Sequence, residues 1–204
     1  MSSSFEIETL QISESGEDCL FFKSNGQQIS PWHDIPLFTD DKCEILNMII
    51  SKGDRYNPIK QDISNGRPRQ LADIAPFQGY PCNYGALPQT WEDPNFIDTH
   101  TRLGGDDDPL DVCEIGSALG ACGQVKKIKP LGAFALLDEG QTDWKIVAVD
   151  IGDPLANELS DISDVERYLP GFLDSLKGWY CRYKVPEGKG ENRLGLDGEL
   201  MSRQ

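Results

Sequence analysis

The chain has 204 residues, 38% of them apolar and 9% aromatic, and its 34 acidic side chains against 19 Lys and Arg leave a formal net charge of −15. That size supports one globular domain with at most a small appendage. Nucleic-acid affinity rests on counterion release by clustered Lys and Arg; no such cluster exists here, so neither nucleic acid nor an anionic membrane surface is an expected partner. The surplus negative charge is either spread for solubility or gathered around a hard cation such as Mg²⁺.

Residues 1–10 (MSSSFEIETL) lack the basic start and apolar core of a secretory signal and the Arg-rich make-up of a transit peptide. The longest apolar runs, such as Leu131–Leu137, fall far short of the ~20 residues of a membrane span. The six cysteines are scattered without a CxxC pair, which predicts reduced thiols in a cytoplasmic protein.

Loose apolar–polar alternation over residues 5–23, with turn signals at Ser15-Gly16 and Asn25-Gly26, predicts a leading hairpin. The run Ile45–Ile50 (ILNMII) suits a buried strand that stops at the polar Ser51-Lys52-Gly53-Asp54. From Pro58 to Pro94 Pro and Gly are dense, with Tyr80, Tyr84 and Trp91 among them, the make-up of a site-lining loop region rather than a helix. Strands are expected at Val112–Ile115, Gln124–Ile128, Leu131–Leu137 and Lys145–Val149, bounded by Gly, Pro and acidic turns, which favours a small barrel. Asp161 or Ser163 can cap a helical turn or two around Val165–Leu169; after Pro170-Gly171, Leu173, Leu176, Tyr180 and Tyr183 recur at helical spacing.

The densest chemical signal is Gly104–Val112, GGDDDPLDV. In an extended segment alternate residues share a face, so Asp106 and Asp108 point one way and a turn at Pro109 swings Asp111 back toward them. Crowded carboxylates repel until a proton or a divalent cation intervenes, and oxygen-only ligands select Mg²⁺, Mn²⁺ or Ca²⁺ over zinc. The competing reading is a solvated acidic turn, the commoner outcome for such runs. An EF-hand is excluded because Leu110 stands at its third ligand position. A second acidic pair, Asp138 and Asp143, flanks the turn between two apolar strands; it is either a polar hairpin tip or a pair of carboxylates at one rim of the barrel. Arg69, Lys145 and Lys184 offer phosphate ligands, unless Arg69 and Lys184 are ordinary surface charges and Tyr183 simply packs. Carboxylates, cations and tyrosine hydroxyls together are the parts of a metal-assisted phosphoryl-transfer site. Only His33 and His100 are present, and no HExxH, GxSxG or Walker loop occurs, which removes zinc, serine and nucleotide-loop chemistries.

The motif Asp106-x-Asp108-Pro109-Leu110-Asp111-Val112 resembles, at every fixed position, the signature of the soluble family I inorganic pyrophosphatases of the eukaryotic type. Residues 30–36 (SPWHDIP), Gly79-Tyr80, Asn83-Tyr84-Gly85, residues 88–94 (PQTWEDP), residues 138–145, and Tyr183-Lys184 through Glu191-Asn192 extend the likeness over about Ser30 to Asn192. The resemblance implies a mainly β (α+β) fold: a small OB-like five-stranded β-barrel with flanking helices at 30–192. An N-terminal β-hairpin extension would occupy 1–29 and a truncated tail 193–204. It implies Mg²⁺-dependent hydrolysis of pyrophosphate to two phosphates, with several cations per site and Mn²⁺ as a substitute, commonly in a homodimer. Asp106, Asp111 and Asp143 would hold metal, with Asp138 at a further metal position. Asp108 would orient and deprotonate the attacking water. Arg69, Tyr183, Lys184 and Lys145 would hold phosphate oxygens, while Tyr80 and Tyr84 would hydrogen-bond near the leaving group, with Tyr80 as proton donor.

The chain departs from that pattern after Ile50. Family members continue the strand with a glutamate, a Pro-Arg-Trp segment, a lysine and another glutamate before rejoining at Asn57-Pro58-Ile59; here only Ser51–Tyr56 intervene. Roughly a dozen residues are missing, about 40 Å of extended strand, which threatens strand pairings as well as part of the metal and phosphate shell. The expectation is reduced turnover; the alternative is an impaired Mg²⁺-pyrophosphate-binding isoform acting as a dimer subunit.

Overall fold

The computed structural model describes residues 6–11, 18–39, 41–50, 59–60, 63–64, 67–68 and 73–203. The leading hairpin is present: β1 (Glu6–Gln11) pairs antiparallel with β2 (Asp18–Ser24). Asn25 and Gly26, both at positive φ (53° and 75°), turn the chain into β3 (Gln27–Ile29), the left-handed pair that a two-residue hairpin turn demands. β5 (Ile59–Lys60) shares the other edge of β2 with β3. β6 (Ile63–Ser64) pairs β7 (Arg67–Pro68).

The main sheet closes on itself. β4 (Leu46–Ile50), β8 (Asn83–Ala86), β9 (Asp111–Glu114), β11 (Gln141–Asp150) and β10 (Val125–Asp138) pair in that cyclic order, and β10 returns to β4. β9 with β11 is the parallel pair of this ring. Two short segments, β12 (Arg193–Leu194) and β13 (Met201–Ser202), add to β10 beyond the stretch that pairs with β4. The mainly β, five-stranded, OB-like expectation therefore holds. The strands expected at 124–128 and 131–137 are one strand, β10, whose register against β11 slips between Pro130 and Gly132. Proline has no N–H for the ladder, and a bulge there bends the strand without ending it.

The ring has two differently used surfaces. Met48, Ile50, Val112, Ile128 and Ala148, from four of its strands, meet in one buried cluster. On the opposite strand face, Cys113, Phe134, Leu136, Val147 and Val149 pack against helices α1 (Ile162–Tyr168) and α2 (Phe172–Arg182) through Ile162, Val165, Leu173, Leu176, Trp179 and Tyr180. Each large side chain so buried contributes about 1.5–3 kcal/mol. Of the two candidate caps, Asp161 starts α1: it accepts from Ser163 N (3.2 Å), and Asp164 accepts in return from Asp161 N (3.1 Å), a capping box. Tyr183 lies just past α2, as its C-cap. A third cluster joins Phe22 of β2 to Trp32, Ile35, Ile49 and Ala86, so the hairpin sheet is seated on β4 and β8. Among the described residues no helix is long and apolar enough to cross a membrane.

Among the described residues β4 pairs on both sides, Leu46 to Ile49 with β10 and Ile49 and Ile50 with β8. Residues 51–58, where pairings of the missing strip were expected to be lost, lie outside the described residues. The β4–β8 approach is close enough that a Cβ at Gly85 would stand 2.1 Å from the Ile49 carbonyl oxygen. Gly85→Ala is expected to force these strands apart and to cost about 1–3 kcal/mol, read as a lower midpoint in urea unfolding; an unchanged midpoint would contradict the contact.

Candidate active site

The parallel register sets Lys145 of β11 opposite Asp111 of β9, and the hairpin register sets Asp143 opposite Leu136 of β10. Facing residues share a sheet surface, so Asp111, Asp143 and Lys145 emerge on the helix-packed side with Leu136 and Phe134. They form a wall there, and Asp138 alone stands at the expected hairpin end. The Lys145 ammonium is buried between two carboxylates: it bonds Asp111 Oδ2 and lies 2.5 Å from Asp143 Oδ2. Burial draws its pKa down, but the two carboxylates override this and hold it well above the ordinary lysine value. A charge so placed persists only when paired.

Tyr84, on β8 opposite Cys113, donates to Asp111 Oδ2 at 2.5 Å. Burial, then the Asp111 charge and Tyr80, push this phenol up, so it stays a donor. Tyr80 stacks on Tyr84 with ring centroids 4.5 Å apart and 7° between planes, and is 39% exposed. Across the wall, Asp138 accepts from Tyr183 (2.8 Å) and from Lys184 (2.7 Å), both just past α2. Burial and the Asp138 charge raise the Tyr183 phenol. Lys184 also reaches Glu139 at 3.3 Å, and Lys189 reaches the same carboxylate at 2.7 Å.

The acidic run is a turn, not the extended segment expected from alternation. Asp107 takes a left-handed φ of 71°, and the Asp106 carboxylate accepts from Asp108 N at 3.1 Å, a side-chain turn typical of Asp. The run is tied to residues 91 and 92: Glu92 N donates to Asp108 O (2.8 Å), Asp107 N to Glu92 O (2.9 Å), and Trp91 Nε1 to Asp107 Oδ1 (2.8 Å). A Cβ at Gly105 would meet the Glu92 backbone at 2.4 Å, so only glycine admits this approach.

The approach brings in a residue that sequence reasoning missed. Glu92 is 8% exposed, its Oε1 accepts from Trp144 N at 2.9 Å, and its Oε2 is buried without a hydrogen-bond partner among the described residues. Glu92, Asp106 and Asp143 each offer a carboxylate oxygen within 4.8 Å of the others. An all-oxygen, anionic donor set with an unsatisfied buried oxygen fits a hard divalent cation. The signal lay in the 88–94 segment, where Glu92 carries no short spacing to the aspartates and so gave no reason to single it out. Asp111 is joined to this cluster through Lys145 and Asp143. Arg69 lies outside the described residues.

Burial drives the Glu92 carboxyl up to about 9 against the Trp144 N–H, with Asp143, Asp106 and Asp111 adding to the rise. Folded, it therefore holds its proton more tightly than in the unfolded chain, where a carboxyl titrates at about 4.5. The stability this contributes is complete below that value and is lost as pH climbs toward about 9. The metal-free protein should melt at falling temperature as pH rises across that window, less steeply in Glu92→Gln, and added Mg²⁺ should restore the wild-type melt at the alkaline end. Identical slopes for the two proteins would refute the assignment.

The pattern of the family described as inorganic pyrophosphatase matches residues 33–201. The inorganic pyrophosphatase of Debaryomyces hansenii is 48% identical over 91% of this chain and 69% of its own length. That of Neurospora crassa is 44% identical over 100% of this chain and 74% of its own. The Neurospora alignment runs 215 positions against 204 residues here, so at least 11 of them (215 less 204) have no counterpart in this chain. Among solved structures, the inorganic pyrophosphatase of Schistosoma japonicum matches with a TM-score of 0.88 and 43% identity, covering 91% of this chain and 70% of its own. The N-terminally truncated vacuolar soluble pyrophosphatase of Trypanosoma cruzi, solved in complex with PPi, matches with a TM-score of 0.85 and 34% identity, covering 99% and 85%. With the fold, the acidic turn and most of the chain in agreement, this protein belongs to the inorganic pyrophosphatase family.

Proposed function

We propose that this protein hydrolyses inorganic pyrophosphate to two phosphates with Mg²⁺, Mn²⁺ serving in its place. The observation that carries the reading is the crowding of Glu92, Asp106 and Asp143 into one carboxylate cluster beside the buried Asp111–Lys145–Asp143 network. Asp106, Asp111 and Asp143, joined by Glu92, are the residues that would hold cations, with Asp138 at a further position. When bound, such cations acidify a water and reduce the repulsion between hydroxide and a polyanion.

In this mechanism Asp108, two residues after Asp106 of that cluster, takes a proton from the attacking water. The water oxygen adds to one phosphorus as its bond to the bridging oxygen breaks, and Tyr80 gives a proton to the departing phosphate. Tyr183 and Lys184, whose donor atoms converge on Asp138, turn to phosphate oxygens together with Lys145 and Arg69. Tyr84 keeps the Asp111 carboxylate oriented. Each is a preorganised charge or dipole aimed where negative charge moves.

We place the residues lacking relative to the Neurospora enzyme after Ile50, within 51–56. The organisation we favour is a hairpin extension at 1–29, a catalytic domain at 30–192 and a tail at 193–204, acting as a cytoplasmic homodimer without a nucleic-acid or membrane partner.

Purified chain should release phosphate from pyrophosphate with Mg²⁺, and chelator should abolish the release. Asp108→Asn should lose about 10²–10⁴-fold in kcat, the usual worth of a general base, while Mg²⁺ binding persists. Wild-type turnover that survives in Asp108→Asn would overturn the assignment of the base. Turnover should also lie below that of the Debaryomyces hansenii enzyme in the same assay; equal rates would show that the missing strip is dispensable.

A further inference from the structure

The last turn of α2 carries a tryptophan that the reading above does not use. Trp179 is 1% exposed. Its ring stacks on Tyr183 at 5.4 Å between centroids and 18° between planes, and lies 5.0 Å from Tyr80 at 43°. Tyr80 in turn stacks on Tyr84 at 4.5 Å. Four rings therefore run unbroken from Tyr84, whose hydroxyl is on Asp111, through Tyr80 and Trp179 to Tyr183, whose hydroxyl is on Asp138. The run spans the site from β8 to the end of α2, and both of its ends are pinned by hydrogen bonds to carboxylates, on β9 and at the end of β10.

The indole is an odd choice for filler. Its Nε1 is buried without a hydrogen-bond partner among the described residues, a penalty that a leucine or phenylalanine of similar reach would not incur. What the indole offers instead is a wide, rigid ring that meets Tyr80 and Tyr183 together. Offset and tilted aromatic contacts fix relative orientation more tightly than aliphatic packing does. Tyr80 comes from an irregular segment ahead of β8 and is substantially exposed, and the Tyr84 and Trp179 rings pack against its ring from two sides.

We infer that Trp179 is a positioning residue for hydrolysis, holding the Tyr80 hydroxyl in place from the α2 side while Tyr183 anchors the indole. This rests on the pyrophosphatase reading of the site, with Tyr80 as proton donor. Misplacement of a donor by as little as an ångström weakens catalysis without removing binding groups, so the loss falls on kcat and spares KM.

The test is a kinetic cycle on the full chain with Mg²⁺ and pyrophosphate, using Trp179→Leu, Trp179→Met, Trp179→Phe and Tyr80→Phe. Trp179→Leu and Trp179→Met should lower kcat at least tenfold and move KM less than threefold, and Trp179→Phe, which keeps a ring, should recover kcat to within about threefold of wild type. In the Tyr80→Phe background the ring-removing substitutions should cost less than threefold, because the hydroxyl they misplace is already gone; two changes acting through one group are not additive. The methionine variant keeps much of the volume with a flexible chain and carries the cycle should the leucine variant lose its cooperative melt. Equal losses in both backgrounds, an unchanged kcat, or a loss that phenylalanine does not recover would each overturn the role of Trp179 while leaving the pyrophosphatase reading intact. No phosphate release from wild type would remove both.

Discussion

Lys145 is buried with the carboxylates of Asp111 and Asp143 on its ammonium, and the site is arranged around that constraint. A lone ammonium could not remain charged there, and two lone carboxylates could not remain ionised side by side. Taking away one partner of such a group leaves an uncompensated buried charge, at about 3–5 kcal/mol. The arrangement exists because β9 and β11 run parallel in a ring that is otherwise antiparallel, so that Lys145 faces Asp111 directly and Asp143 follows on the same surface two residues away. Closing the ring and neutralising the charge are one structural event.

From that fixed wall the rest of the site is assembled by less regular parts. Glu92 and the acidic turn are held to each other through their backbones, which carries Asp106 to Asp143 without placing either on the other's strand. Tyr183 and Lys184 arrive from the end of α2, whose inner face is buried on Val147, Val149 and Leu136. Strand register thus sets the anionic floor, and a helix end and a tied loop set what approaches it. A carboxylate cluster assembled from three separate segments has no preference for short sequence spacing, and its geometry depends on each of the packing faces beneath it.

Much of this was legible in the chain. The Asn25-Gly26 turn, the buried ILNMII strand, the Asp161 cap and the apolar stripe of α2 each follow from local chemistry that tertiary structure did not override. The aspartates at 106, 111, 138 and 143 stood out because they crowd into two short acidic clusters, the first of which matches a family signature. Three things were not legible. Proline inside β10 reads as a strand end, and only the bulge shows the chain passing through it. Alternation suggested that Asp106 and Asp108 share an extended face, but a left-handed Asp107 has no signature stronger than an ordinary aspartate. Glu92 needed the contact with Gly105, a relation between distant residues that no period or spacing encodes.

The described end of β4 is tied into the ring on both sides. Ile50 closes its end of β4 by donating to Gln124 O at 3.0 Å and accepting from Gly123 N at 3.1 Å, beyond the ladder with β8. Both neighbours of the strand are therefore satisfied by five residues, and its side chains are buried throughout. The hairpin sheet is keyed to this strand by Phe22 against Ile49 and Ala86. The carboxylates of the wall, the turn and Glu92 all lie on β9, β10, β11 and the 91–108 loop, none on β4. The charge-balanced floor of the site is thus assembled on β9, β10, β11 and the 91–108 loop, while β4 supplies the apolar seat on which the ring and the hairpin sheet meet.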